Sequence, residues 1–214
     1  MDVTRLRPGG LKLTKEGADC AGISAGSRVL DIGCGTGTTL RFLYDTYGCG
    51  VSGTDISEKA VAIAGKRVPE ADICCADASV LPFPDATFDA VFMECTLTLF
   101  ERPQDALSEA GRVLVKGGFL IIETLKRKDA RVFLDDGAVS LPLLTAFLEE
   151  NGFHVVCSED KTEELVRFST AIIFQYDSLD VYLKSCEKET GSSIFSCDMN
   201  RKGLGYHLIV AQRQ

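Results

Sequence analysis

The stretch VLDIGCGTG (29–37) decides the fold. It consists of a short apolar run that ends around Asp31, three glycines at alternate positions, and the start of a segment with helical periodicity. A buried strand, a glycine turn and a helix in this order open a βαβ unit, which belongs to a parallel sheet. Glycines in such a turn reach positive φ angles and let the backbone approach a ligand, while the helix N-terminus leaves N–H groups available. The stretch therefore predicts an α/β fold with a ligand site at the end of its first strand.

The same alternation of strands and helices continues on both sides of this stretch. Apolar runs predict further strands at 51–55, 71–77, 89–93 and 119–124, with a turn at Lys116-Gly117-Gly118 before the last of these. Helical spacing predicts helices after Gly37, after Ser57, from about Pro103, and over 140–150. Two later runs, 153–159 and 205–213, also read as strands. The pattern is typical of a doubly wound α/β sheet with helices on both faces.

Composition narrows the class of protein. The chain has 214 residues, a net charge of −8, 45% hydrophobic and 25% charged residues, a balance typical of a soluble globular domain. The acidic balance argues against nucleic acid or an anionic membrane as partner. No apolar run approaches the ~20 residues of a membrane span, and no secretory signal is visible, so we expect a cytoplasmic protein. Composition leaves monomer and homodimer equally open.

The nine cysteines form no C-x-x-C pair. Cys74 and Cys75 are adjacent and would point to opposite faces of a strand, which suits chelation poorly. In a reducing compartment most of the cysteines are expected to act as small apolar packing residues. We therefore expect no metal site.

Two more acidic residues follow predicted strands. Asp55 closes the second strand, where a carboxylate can accept both ribose hydroxyls of a nucleoside, and Asp77 closes the third. With Asp31, three carboxylates are predicted at the ligand-binding edge of the sheet. This set favours a nucleoside ligand over a plain structural turn.

The glycine spacing argues against a nicotinamide dinucleotide. A dinucleotide fingerprint needs G-x-G-x-x-G, and Thr38 stands where the third glycine is expected. Asp31 makes the local field negative, which suits a cationic group better than a pyrophosphate. A nicotinamide-dependent oxidoreductase stays a less favoured alternative.

Several motifs in unbroken order over residues 26–125 carry a resemblance to a known family. They are VLDIGCGTG (29–37), GTDIS (53–57), CADASVLPF (75–83), FDAVFMECTL (88–97) and RVLVKGGFLII (112–122). The chain resembles the class I S-adenosylmethionine-dependent methyltransferases of the small-molecule type, and is similar to the quinone-biosynthesis C-methyltransferases. The resemblance implies about seven strands, mostly parallel with an antiparallel last strand. Together with the pattern of the remaining segments, we expect one domain over 1–214. It has an N-terminal helical arm (1–26), a donor-binding half (27–125) and a C-terminal half (126–214), in which the long connection 160–203 is a helical insertion.

The resemblance also implies roles for individual residues. Asp31 would bind the methionine ammonium beside the backbone of Gly33, Cys34 and Gly35. Asp55 would take the ribose diol, with Ile56 packed on the adenine. Asp77 and the N–H of Ala78 would read the adenine edge, and Glu94 would lie near the sulfonium and the acceptor.

The implied reaction moves a methyl group from S-adenosylmethionine to a small-molecule acceptor. Glu94 and Cys95 are the candidates for catalytic work, although packing is the more ordinary role for Cys95. Arg5 and Arg7 in the arm are candidates to close over the site. Two alternatives stay open: a catalytically silent module that binds the donor, and a thiophilic acceptor such as arsenite, which requires two of Cys34, Cys95, Cys186 and Cys197 to meet at the pocket.

Overall fold

The computed structural model describes residues 7–127, 131–176, 178–190 and 203–214. Its centre is a mixed sheet whose first five strands are parallel and lie in the order β3-β2-β1-β4-β5: β1 (Arg28–Ile32), β2 (Gly50–Asp55), β3 (Asp72–Cys75), β4 (Phe88–Glu94) and β5 (Leu114–Arg127). Four shorter or later strands complete it: β6 (Leu134–Asp135), β7 (Ala138–Val139), β8 (Phe153–Asp160) and β9 (Leu204–Arg213). The last strand, β9, runs antiparallel between β5 and β8. The predicted sheet, with its antiparallel last strand, is confirmed.

Helices cover both faces of this sheet. They are α1 (Leu11–Cys20), α2 (Thr38–Tyr47), α3 (Glu58–Arg67), α4 (Pro103–Val113), α5 (Leu141–Glu150), α6 (Thr162–Tyr176) and α7 (Leu179–Thr190). Alternate strand residues point to opposite faces. Leu30, Val91 and Ile122 pack with α4 and α5 on one face, whereas Phe92 and Ile121 pack with α1 and α2 on the other. The doubly wound arrangement is therefore as predicted.

Local signals set the ends of the predicted helices. Gly37 and Gly48 flank α2 with left-handed φ angles of 77° and 65°, a conformation that glycine adopts at little cost. Ser57 caps α3, and its Oγ accepts a hydrogen bond from the Ala60 N–H at 3.3 Å. These boundaries follow the sequence because each is made by a residue whose side chain or flexibility ends the helix.

Two local predictions need correction. The predicted turn at 116–118 lies inside β5, where the pairing with β4 jumps from Phe88↔Leu114 to Ala90↔Phe119. Gly117, with φ 82°, lets the strand bulge there rather than reverse. The hairpin of β6 and β7 was missed, although Asp136-Gly137 at its turn, with φ angles of 50° and 72°, is a recognised hairpin signal.

The predicted helical insertion contains α6 and α7, and residues 191–202 lie outside the described part. Both helices contribute to a third apolar cluster, which also contains Leu13, Cys95 and Tyr206. This cluster adjoins the carboxyl ends of β4 and β5. Among the described residues, the helices are too short or too polar to cross a membrane.

Candidate functional site

The glycine turn after β1 leaves one side open. Gly33 and Gly35 have φ angles of 77° and 52°. A Cβ atom on Gly33 would lie 2.4 Å from Thr96 Cγ2, whereas one on Gly35 would meet no atom within 4 Å. The turn thus packs closely against Thr96 at Gly33, whereas at Gly35 its backbone borders open space that a ligand can enter. Cys34 lies between them with its side chain buried.

Asp55 lies across the crevice from this turn. Its Oδ2 accepts a hydrogen bond from the Gly35 N–H at 2.9 Å, and its Oδ1 accepts one from the Ser57 N–H at 2.9 Å. These bonds fix the carboxylate, and each oxygen retains acceptor capacity for a hydroxyl. Next to it, the Ile56 side chain is 72% exposed, an apolar surface beside a polar anchor.

Asp77 is exposed two residues beyond the end of β3. Its Oδ1 accepts hydrogen bonds from the Ser79 N–H at 2.8 Å and the Ser79 Oγ at 2.7 Å. These bonds lower the pKa of Asp77, so its carboxyl is ionised at neutral pH. The neighbouring Ala78 is buried in the core.

Asp31 and Glu94 are buried on the sheet face that α1 and α2 cover. Burial, and secondarily the charge of Glu94, raises the pKa of Asp31 well above its ordinary value. Glu94 Oε2 accepts a hydrogen bond from Thr39 Oγ1 at 2.5 Å. The charges of Glu94 and Asp55 both act on Asp31, so Asp31 lies near these two predicted residues.

Glu123 is a site residue that the sequence analysis missed. It lies on β5 in register with Glu94 and is completely buried. The Tyr206 hydroxyl donates to Glu123 Oε2 at 3.1 Å. Burial and the nearby Glu94 raise the pKa of Glu123 well above its ordinary value. The available signal was a carboxylate inside the apolar run FLIIET (119–124), because buried charged residues are rare unless they have a function or a partner.

Arg7 also reaches the site. Its Nη2 lies 2.5 Å from Glu94 Oε2, and its Nε lies 3.4 Å from Glu123 Oε2. Nη2 also donates to Thr14 Oγ1 of α1 at 2.5 Å. Of the two candidates to close over the site, Arg7 thus contacts Glu94 and Glu123, whereas Arg5 lies outside the described residues.

Cys95 follows β4 and has a φ of 59°, a strained angle for a residue with a side chain. Its Sγ lies 2.8 Å from the Tyr206 hydroxyl oxygen. Burial raises the pKa of the Cys95 thiol far above its ordinary value, and that of the Cys34 thiol likewise. Both thiols are protonated at neutral pH, which argues against a nucleophilic thiolate.

The positions of the cysteines give little support to the hypothesis of a thiophilic acceptor. Cys95 and Cys186 belong to the same apolar cluster, Cys34 belongs to another, and Cys197 lies outside the described residues. Within the part of the chain that the structure describes, no three Cys, His, Asp or Glu side chains are grouped as a metal site would need.

Comparison with known proteins gives the class and then the family. Residues 30–122 match the family described as "Methyltransferase domain". The chain is 29% identical to the 27-O-demethylrifamycin SV methyltransferase of Amycolatopsis mediterranei over 225 residues, 94% of this chain and 83% of that protein. It is 38% identical to the demethylmenaquinone methyltransferase of Renibacterium salmoninarum over 104 residues, 49% of this chain and 44% of that protein.

A solved structure gives the same fold. The geranyl diphosphate methyltransferase in complex with S-adenosylmethionine superposes with a TM-score of 0.75 at 16% identity, covering 96% of this chain and 86% of that one. The fold and glycine turn define a Rossmann-like α/β protein. The chain belongs to the class I S-adenosylmethionine-dependent methyltransferases.

Proposed function

We propose that the chain transfers the methyl group of S-adenosylmethionine to a small-molecule acceptor by in-line displacement, with release of S-adenosylhomocysteine. The observation that carries the proposal is the bond from the Gly35 N–H to Asp55 beside the open side of the glycine turn. This geometry fixes a carboxylate and an approachable backbone at the same crevice. The donor supplies an activated methyl group on a sulfonium centre.

The residues fit such a donor in charge and shape. We assign Asp31 to the ammonium and Asp55 to the ribose diol, with the backbone of Gly33, Cys34 and Gly35 between them. A second group of residues holds the base: Ile56 for packing, and Asp77 with the Ala78 N–H for the adenine edge. Because Asp55 and Ile56 are adjacent, one carboxylate and one exposed apolar side chain meet ribose and adenine together.

Glu94 and Cys95 are the assigned residues nearest the reacting atoms. Glu94 lies in the buried carboxyl group next to Asp31, where it faces a cationic centre. Cys95 is the weaker candidate because its thiol stays protonated and hydrogen-bonded to Tyr206. The main task of the protein is alignment of acceptor, methyl and sulfur, which is worth up to ~7–11 kcal/mol in favourable cases.

The acceptor would enter next to α6, α7 and the N-terminal arm. The apolar cluster of these helices contains Cys95, which follows the carboxyl end of β4, and Tyr206, near the amino end of the antiparallel β9. Less regular segments around a fixed scaffold commonly decide specificity. We therefore assign acceptor recognition to this side of the site.

Thermal unfolding with added ligand tests the donor site. We expect S-adenosylmethionine and S-adenosylhomocysteine to raise the melting temperature, since both bind only the folded state. Asp55→Ala should remove most of this shift. Asp72→Ala, which removes an exposed carboxylate at the opposite end of the sheet, should retain it. Absence of any shift at millimolar ligand would contradict the proposal.

Turnover separates an enzyme from a silent donor-binding module. Fractionated metabolite extracts are incubated with the protein and S-adenosylmethionine, and S-adenosylhomocysteine is measured together with any product that gains a methyl mass. We expect at least one fraction to give both products, and Asp55→Ala to give neither. Tight donor binding without turnover in every fraction would favour the silent module.

A further inference from the structure

Three buried carboxyl groups line one face of the sheet at its ligand-binding edge. Asp31 is in register with Phe92, two residues before Glu94, and Glu94 is in register with Glu123. Residues at these positions point to the same face. All three carboxyls are buried under the segment that carries Arg7 and α1. The donor site assigned above uses Asp31 and Glu94 and gives Glu123 no role.

The charges of this group do not balance. Arg7 is the cation that contacts both Glu94 and Glu123, at 2.5 and 3.4 Å. Among the described residues, three carboxyls against one guanidinium leave an excess of negative charge, and isolated buried charges are costly. The raised pKa values of Asp31 and Glu123 reflect this cost, because a bound proton supplies the missing positive charge.

Two carboxylate oxygens in the group lack a donor. Glu94 Oε1 and Glu123 Oε1 are buried without a hydrogen-bond partner among the described residues. The two carboxyls lie close enough that a proton on one is hydrogen-bonded to the other. Buried oxygens of this kind are normally satisfied. The two unpaired oxygens thus suit a proton or a nearby positive charge.

We propose that Glu94 and Glu123 together form the subsite for the positively charged sulfonium of the donor. Glu123 is the residue that makes the chain prefer the charged S-adenosylmethionine over the product S-adenosylhomocysteine, whose sulfur is uncharged. Arg7 is the internal cation that contacts this subsite. The inference rests on the proposed function. It adds that the chain distinguishes S-adenosylmethionine from S-adenosylhomocysteine by charge, through a residue on β5.

The two ligands isolate this effect. They share the adenosine, the ammonium and the carboxylate, and differ in the methyl group and in the positive charge on sulfur. The ratio of their affinities therefore reports the sulfonium environment, whereas loss of the remaining contacts changes both affinities together. These carboxyls could instead bind an amine of the acceptor. In that case, removal of the Glu123 charge would leave the ratio of the two affinities unchanged.

The affinity ratio should also depend on pH. The charged and titratable groups that act on Glu123 are Glu94 on β4, Tyr206 on β9, Cys95 after β4 and Arg7 before α1. Burial raises the pKa of Tyr206 and of Cys95, and Arg7 stays charged, so these three groups keep their charge while Glu123 titrates. Because the pKa of Glu123 is raised, this carboxyl loses its proton as the pH rises and then attracts the sulfonium more strongly.

The experiment is isothermal titration calorimetry with S-adenosylmethionine and S-adenosylhomocysteine, on wild type, Glu123→Gln, Glu123→Asp and Arg7→Met. In Glu123→Gln, the preference for S-adenosylmethionine over S-adenosylhomocysteine should fall about tenfold. This is the order of magnitude expected when one unit charge near the sulfonium is removed. Glu123→Asp retains the charge and should retain most of the ratio. Arg7→Met removes a competing positive charge and should shift the ratio in the opposite direction.

A pH series keeps the proposal testable even where a variant does not fold. We expect the wild-type ratio to rise with pH as Glu123 loses its proton, and that of Glu123→Gln to rise less, because only Asp31 still titrates. A flat wild-type ratio, or equal losses for both ligands in Glu123→Gln, would overturn the proposal. Failure of wild type to bind either ligand would instead overturn the donor site itself.

Discussion

Single residues of the site fall into two electrostatic environments. Asp55 and Asp77 accept backbone N–H bonds, and they suit neutral hydroxyl and amine donors. Asp31 and Glu123 are buried, and burial raises the pKa of each carboxyl. The first pair can be predicted from sequence because their positions at strand ends place them at the crevice.

The role of Glu123 could not be predicted in the same way. Its place beside Glu94 depends on the register of β4 and β5, which the bulge of β5 between Leu114 and Phe119 alters. Its contact with Arg7 depends on how the segment before α1 folds back over the sheet. Neither feature follows from local periodicity, so only the assembled fold shows this cluster.

The burial of individual cysteines predicts how fast their thiols react. Cys95 and Cys34 should react slowly with iodoacetamide at neutral pH, because burial raises the pKa of both thiols and shields them. Cys20, which is exposed, is the reference. Peptide mass spectrometry of the labelled native protein gives the relative rates. Labelling of Cys95 as fast as Cys20 would show an accessible thiolate and would revive a catalytic role for it.

At the scale of elements, the strand and helix order of residues 28–125 follows the sequence closely. Short strands with clear apolar runs and helices with glycine or serine caps were predicted within a few residues. The errors fall where a local turn signal competes with long-range pairing, as at Gly117, or where an element has only two residues, as in β6 and β7. Tertiary contacts decide such cases.

The packing of α1 against the sheet can be tested at a single contact. A Cβ on Gly17 would lie 2.6 Å from Ile121 Cγ2, so α1 approaches β5 through a glycine. Gly17→Ala should lower the free energy of unfolding by about 1–3 kcal/mol, because the added methyl overpacks this contact.

Gly65 is the matched control. It lies in α3, and a Cβ there would meet nothing within 4 Å. Gly65→Ala should raise the free energy of unfolding by up to ~1 kcal/mol through helix propensity alone. Urea denaturation of both variants gives the comparison, and a stabilising Gly17→Ala would mean that α1 is not held closely against β5.

At the scale of the whole molecule, the net charge of −8 has a partly local explanation. Asp31, Asp55, Glu94 and Glu123 lie in one group at the carboxyl edge of the sheet, with Arg7 against it. A donor with ammonium and sulfonium charges fits this field. The class of fold and the donor chemistry were predictable from ordered motifs, whereas the acceptor was not, because its side of the site is built from the arm and the insertion, which carry no such motif.

The most direct test of the account is a crystal structure of the chain with S-adenosylhomocysteine bound. We predict that the ribose hydroxyls lie within hydrogen-bond distance of Asp55, that the adenine packs on Ile56, and that the ammonium lies by Asp31. The sulfur should face Glu94 and Glu123. A nucleoside bound elsewhere, or bound in this crevice with its ribose away from Asp55, would contradict the central claim.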